Sequence, residues 1–424
     1  MEKIRISDSA QILFIKNGRF KTTRITVHFY LPLEYEYFSE TAMLPFFLTS
    51  CCGEYPTPAL LSQRLNDLYG AVLSGTTEKI GDNRRVGFTV SALNDRFSID
   101  GSKPMDSAAK LLCNVIFAPA MENDEFKDVD FDREKRLFCE LVLSEKNDKR
   151  QYARTRLEGH LFENSPYGLP DLGNIEGAEA ITKKGLFEAW QNLLRRAKIC
   201  VNVVGEALPQ GFVEEFTERL SAVNRQAAET NKNQPLKEAE LRFVKEYEDI
   251  TQGKLCIGLS TPNADDPKKR AVLTMVSDLL GGGTYSKLFT VVREKLHLCY
   301  YCASRLDRAK CTMIIDSGVD VSNAEKAQRE ILNQLELLKA GDFSETDMES
   351  SRKSLCNAVR TAEDAASVMD RWYASRFLDE TVISPEDYRN LINSVKREEI
   401  IETAKGIKPH TVYFMLPKEN SDEN

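Results

Sequence analysis

The spacing of apolar residues divides the chain into two halves of similar order. In the first half, strands are predicted near residues 10–33, a helix near 38–52 and another from about Pro58 to Tyr69. Two strands follow near 71–79 and 84–95, the second written Arg85-Val86-Gly87-Phe88-Thr89-Val90-Ser91-Ala92. Helices are predicted near 101–119 and, as one long element, near 129–164. Ile199-Cys200-Val201-Asn202-Val203-Val204-Gly205 is a short apolar run rich in β-branched residues and ending in glycine, the mark of a buried strand. A helix near 208–222 closes the half.

Residues 224–240 are polar and short of large apolar groups, a linker composition. The second half then repeats the order. Strands near 242–248 and 253–261 lead to a helix near 267–280, and Gly281-Gly282-Gly283 breaks it. A helix near 286–296, strands near 298–306 and 310–319, and helices near 322–340 and 343–377 come next. Shorter helices near 385–392 and 396–406 precede a last strand, Thr411-Val412-Tyr413-Phe414-Met415. A repeat of order at half the chain length reads as a duplicated domain. The expected fold is α+β, with two α/β sandwich domains of mostly antiparallel sheet packed by helices. The expected domains are 1–223, with a linker over 224–240, and 241–424. The glycine triplet lacks the spacing of a phosphate loop and follows a helix, so a helix end with left-handed backbone is expected there.

Composition narrows the function classes. With 424 residues, 42% hydrophobic and 29% charged, the chain can bury two substantial cores. The net charge of −8 argues against a nucleic-acid partner, which needs concentrated basic surface. No apolar run approaches the roughly 18 residues of a membrane span. Met1-Glu2-Lys3-Ile4-Arg5 opens no apolar signal segment, and a cytoplasmic location is the expectation. Cys51, Cys52, Cys113, Cys139, Cys200, Cys256, Cys299, Cys302, Cys311 and Cys356 lie scattered through apolar segments, as reduced buried thiols do. Cys299 and Cys302 have a suggestive spacing. Read as part of one strand, however, they face opposite sides and share neither a metal nor a disulfide.

Five separated segments together carry a resemblance. Gly53-Glu54-Tyr55-Pro56-Thr57, Ser165-Pro166-Tyr167-Gly168-Leu169-Pro170-Asp171-Leu172-Gly173 and Val203-Val204-Gly205 lie in the first half. Leu279-Leu280-Gly281-Gly282-Gly283-Thr284-Tyr285-Ser286-Lys287-Leu288-Phe289 and Arg293-Glu294-Lys295-Leu296-His297-Leu298-Cys299-Tyr300 lie in the second. In this order the chain resembles the insulinase/pitrilysin (inverted-zincin) metallopeptidases over nearly its whole length. It is similar in particular to mitochondrial processing peptidase subunits of the alpha type, built as half-shells. It also looks like the zinc-less member of paired Gram-positive bacterial proteins, a group linked to modification of elongation factor P.

The resemblance implies a zinc helix of His-x-x-Glu-His form. Two histidines one turn apart would share the metal, and a glutamate between them would polarise its water. Here those positions hold Leu44, Phe47 and Leu48, which can do neither. The third family ligand, a glutamate on the long helix, is matched in place by Glu140 or Glu145, and one carboxylate cannot hold zinc alone. His28, His160, His297 and His410 have no ligand spacing. No metal, no cofactor and no catalysis by this chain alone are therefore expected. Active relatives use an Arg and a Tyr seven positions apart to grip substrate, and the matching residues are Arg293 and Tyr300. The resemblance implies a peptide substrate and a partner, either a zinc-bearing homologue in a heterodimer or a second copy. In such a pair Arg293 and Tyr300 would act in trans. A non-catalytic peptide- or protein-binding scaffold is the alternative.

Overall fold

The computed structural model describes residues 1–379 and 381–418. The chain runs through β1 (Glu2–Ser7), β2 (Ala10–Lys16), β3 (Thr22–Pro32), α1 (Phe38–Leu48), α2 (Pro58–Asp67), β4 (Val72–Ile80), β5 (Asn83–Leu93) and α3 (Pro104–Phe117). A short hairpin of β6 (Met121–Glu122) and β7 (Glu125–Phe126) leads to α4 (Asp128–Ser144) and α5 (Lys149–Leu161). Then come α6 (Ile175–Ala180), α7 (Lys183–Arg196), β8 (Lys198–Gly205) and α8 (Phe212–Ser221). Residues 224–241 form neither helix nor strand. The second half holds β9 (Arg242–Glu248), β10 (Gly253–Ser260), α9 (Pro267–Gly281), a π-helical segment Leu288–Lys295, β11 (Tyr301–Asp307) and β12 (Thr312–Val319). It ends with α10 (Ala324–Lys339), α11 (Glu345–Thr361), α12 (Ala366–Ala374), α13 (Pro385–Asn393), α14 (Arg397–Lys405) and β13 (Lys408–Pro417).

Two sheets carry the same topology. The first has the order β1-β2-β8-β3-β5-β4 and the second β11-β12-β10-β13-β9. Without β1, the first reads β4-β5-β3-β8-β2, which matches the second strand for strand. The pairings match too: three antiparallel ladders and one parallel ladder, β2 with β8 and β9 with β13. The fold is α+β with mostly antiparallel sheets, and the order repeats as the sequence predicts.

The chain forms two compact units, and each takes a helix from the opposite half of the sequence. The first unit holds residues 1–143 and 170–232 with a segment beginning at Glu363, which carries α12. The second holds 144–169, 233–362 and the chain from Ile383 on, and so includes α5. A division at 224–240 does not contain this exchange. Both crossings occur where the apolar pattern predicts one long helix and the chain instead breaks. The first break is at Glu145–Asn147, after which the Asp148 carboxylate accepts from the amides of Arg150 and Gln151 and starts α5. The second is at Ala362–Asp364, before α12.

The alternation of β3 shows why the first sheet needs a helix on each face. Ile25, Val27 and Phe29 point into the main core, with Val86, Phe88 and Val90 of β5 and the apolar faces of α1, α3 and α7. Thr26, His28 and Tyr30 point to the other face, and all three are buried. There α12 lays Met369, Asp370 and Tyr373 on the sheet. A polar sheet face buried this way must have its hydrogen bonds met, and Asp370 meets them. Its carboxylate accepts from Arg24 Nε at 3.0 Å, Thr26 Oγ1 at 2.6 Å, His28 Nε2 at 2.9 Å and Asn202 Nδ2 at 2.9 Å. The second unit uses the reverse polarity: α5 brings Arg150 and Arg154 to Asp316 of β12.

Candidate active site and its remnant

Leu44, Phe47 and Leu48 lie on α1. This helix begins without a side-chain cap at Tyr37, which adopts a left-handed φ of 54°. Its N-terminal end is held by Arg84 of β5, whose guanidinium stacks on the Phe38 ring at 4.1 Å and donates to the Asp171 carbonyl at 2.7 Å. Burial pushes the Arg84 pKa down to about 10, with Asp171 working against that fall. Leu44, Phe47 and Leu48 are 0%, 4% and 1% exposed. Phe47 packs on Phe126 with ring centroids 4.6 Å apart, and Phe126 continues into Phe187 at 5.4 Å and Trp190 at 6.1 Å. Phe46 meets Phe138 of α4 at 6.0 Å. Leu44, Phe47 and Leu48 thus lie in a closed hydrocarbon core.

Among the described residues no group of three His, Cys, Asp or Glu side chains is placed to share a metal. Glu140 is exposed on α4, and Glu145 lies beyond the helix in the other unit. The α4 carboxylate that does reach the segment after α1 is Asp130, which sequence spacing did not single out. Asp130 is 7% exposed, lies 3.9 Å from Cys51 Sγ and is paired with Arg133 at 3.0 Å. Its cation partner makes it a structural ion pair, not a ligand. The four histidines stand apart. His28 serves Asp370, His160 Nε2 meets Glu246 at 2.9 Å, His297 is exposed and His410 is buried beside Thr411.

Beside α1 runs β4, the outer strand of its sheet. The two approach so closely that a Cβ at Gly75 would lie 2.2 Å from the Pro45 carbonyl oxygen, so glycine is required. The outer edge of β4 has no neighbouring strand among the described residues.

Arg293 and Tyr300 lie in the second unit. Arg293 sits in the π-helical segment, stacked on Phe289 at 4.7 Å and 3.5 Å from Glu294. Tyr300 is 56% exposed, at a bend just before β11, and its hydroxyl donates to Asp320 at 3.0 Å. That hydrogen bond raises the Tyr300 pKa. Both side chains are accessible, in contrast to the α1 face.

The other shared segments have structural work. Gly281-Gly282-Gly283 ends α9 as expected, but none of the three adopts a left-handed φ. They are glycines for want of room. A Cβ at Gly281 would lie 2.7 Å from the Ser304 amide nitrogen, and one at Gly282 would lie 2.0 Å from Asp278 Oδ1. Asp278 is itself fixed by Tyr285 at 2.5 Å and Ser351 at 2.6 Å. In the second unit, Tyr167 hydrogen-bonds Asp307, and the buried Lys310 ammonium lies 4.9 Å from its ring.

Cys299 and Cys302 do not lie on one strand. Strand β11 begins only at Tyr301, so alternation does not extend back to Cys299. Tyr300 lies at a bend between the two, and both cysteines are free.

Residues 180–355 match the family described as the peptidase M16 inactive domain. YmfF of Bacillus subtilis (strain 168), named a probable inactive metalloprotease, is 28% identical over 407 residues, 96% of each chain. The crystal structure of a conserved protein from Enterococcus faecalis V583 superposes with a TM-score of 0.90 at 26% identity, covering 99% of both chains. A peptidase M16 inactive domain from Pseudomonas fluorescens shares the fold, with a TM-score of 0.79 at 16% identity over 100% of this chain and 99% of that one. Among the described residues no helix is long and apolar enough to cross a membrane.

Proposed function

We propose that this chain, an inactive M16 peptidase homologue, is the zinc-less subunit of a peptidase pair. In this reading it holds an extended peptide and presents Arg293 and Tyr300 to a zinc centre carried by a homologous partner. One contrast carries the reading. Leu44, Phe47 and Leu48 are sealed in the core, while Arg293 and Tyr300 remain at the surface.

The chemistry assigned to this chain is substrate binding and charge stabilisation. Arg293 would hold a substrate carbonyl. The Tyr300 hydroxyl would turn from Asp320 and donate to the oxyanion that forms on the scissile carbonyl. The partner's zinc and glutamate would supply the activated water.

The test is Tyr300→Phe in the assembled pair, assayed for peptide cleavage. Loss of one oxyanion donor should lower kcat by about 100-fold with KM little changed. Unchanged kcat would end the trans-site reading.

A non-catalytic scaffold is the second reading, and one observation favours it. Tyr300 and Arg293 are already engaged by Asp320, Phe289 and Glu294 of their own unit. Tyr300→Phe that leaves both cleavage and peptide binding intact would select it.

A further inference from the structure

We propose that Arg84 forms the floor of a binding site for an organic monocarboxylate, beside the N-terminal end of α1. Arg84 is 3% exposed, and its guanidinium donates only to neutral oxygens. These are Thr77 Oγ1 at 3.0 Å, the Asp171 carbonyl at 2.7 Å and the Phe38 carbonyl at 3.5 Å. The Asp171 carboxylate accepts instead from the Lys79 amide at 3.1 Å. Among the described residues no carboxylate forms an ion pair with Arg84. Its neighbour Arg85, 6% exposed, does pair with a carboxylate, that of Glu78. Buried charges are ordinarily paired, because an unpaired one loses hydration without return. An anion bound beside Arg84 would supply the missing pair. At a pKa of about 10 the guanidinium still carries its charge at neutral pH.

A pocket of about 40 Å³ opens at this point. It has room for about three water-sized groups, enough for a carboxylate. Thr41 of α1 lines it and is only 9% exposed, yet its hydroxyl has no hydrogen-bond partner among the described residues. Asn192 and Arg196 of α7 line it from the other side, and the Asn192 side chain makes no hydrogen bond among the described residues either. The helix α1 starts here without a side-chain cap, and the positive end of its dipole favours an anion. A guanidinium, a hydroxyl and a carboxamide together are donors that the two oxygens of a carboxylate can accept.

Two features set the ligand class. Leu31, Leu33 and Ala189 form apolar walls, which suit a hydrocarbon chain behind the carboxylate. Glu34 and Glu36 also line the pocket, Glu34 being paired with Arg196 at 3.5 Å. Their charges oppose a second negative charge on the ligand, so a monoanion is favoured over phosphate.

The experiment uses butyrate as the probe and follows it by saturation-transfer NMR with the full chain, at pH 7 and constant ionic strength. Saturation should pass from the native chain to the butyrate methyl group, and phosphate or chloride should not displace it. In Arg84→Met, loss of a charge-assisted bond should weaken butyrate about ten-fold or more. Thr41→Val keeps the shape of the side chain and should weaken it about five-fold, so the test stands even where Arg84→Met does not fold. No transfer to butyrate, unchanged affinity in either folded variant, or equal displacement by phosphate would overturn the proposal.

Discussion

Asparagine in place of Asp370 should strongly destabilise the first unit. Asp370 Oδ1 accepts from His28 and Asn202, and Oδ2 accepts from Arg24 and Thr26. Burial opposes its ionisation, yet His28, Thr26 and Arg24 outweigh that and hold its carboxyl well below the usual carboxylate range. An asparagine amide has one oxygen and one NH2. Turned one way, its NH2 faces the Arg24 and Thr26 pair; turned the other, it faces the Asn202 amide and a His28 ring that can switch tautomer to accept. In the first orientation, a charge-assisted bond worth about 1.5–3 kcal/mol and a neutral one worth about 1 kcal/mol are lost. The remaining arginine has no buried counter-charge, which brings the estimate to about 3–4 kcal/mol, within the range for breaking a buried ion pair. Both tryptophans, Trp190 and Trp372, belong to this unit, so tryptophan fluorescence follows its unfolding in urea. With a urea slope of about 3 kcal/mol/M, the midpoint should fall by roughly 1 M. A fall of less than about 0.3 M would refute the claim that this carboxylate fastens α12 to the sheet.

Acidification probes the same cluster through His28. Burial is the main influence on His28 and lowers its pKa, with Asp370 pulling the other way. Its Nδ1 has no hydrogen-bond partner, as suits a neutral ring that donates to Asp370 through Nε2. The unfolded chain therefore takes up the proton first. The stability contributed by His28 is full above an unfolded pKa of about 6.5 and is lost as pH falls towards the folded value. The drop in urea midpoint between about pH 7.5 and pH 5.5 should shrink in His28→Gln, and an equal drop in both proteins would contradict the assignment. In the second unit, Gly282→Ala should cost about 1–3 kcal/mol, because its Cβ meets a carboxylate already fixed by Tyr285 and Ser351. An unchanged thermal midpoint for Gly282→Ala would show that Asp278 can yield.

Much of the fold was legible because strand and helix periods differ and the order of elements repeats. That Leu44, Phe47 and Leu48 pack inward was legible from their apolar side chains, and all three are buried. What the sequence hid depends on residues distant along the chain. The breaks at Glu145–Asn147 and Ala362–Asp364 interrupt stretches that read as continuous helix, and only the Asp148 cap marks one of them. Asp370 looks like an ordinary helix-face carboxylate until β3 and β8 bring His28 and Asn202 to it. The glycine triplet signals its helix end, but its cause is crowding against Asp278 and Ser304, not backbone sign. The strand predicted near 298–306 begins only at Tyr301, after the bend at Tyr300.

The central claim is that this chain cannot hold the metal itself and contributes only through a partner. Elemental mass spectrometry of the purified chain, after equilibration with zinc and gel filtration, tests it most directly. The account predicts zinc at background level, and the same protein with Leu44→Ala should give no more. A full equivalent of zinc retained per chain would contradict the account and make the chain a metalloprotein in its own right.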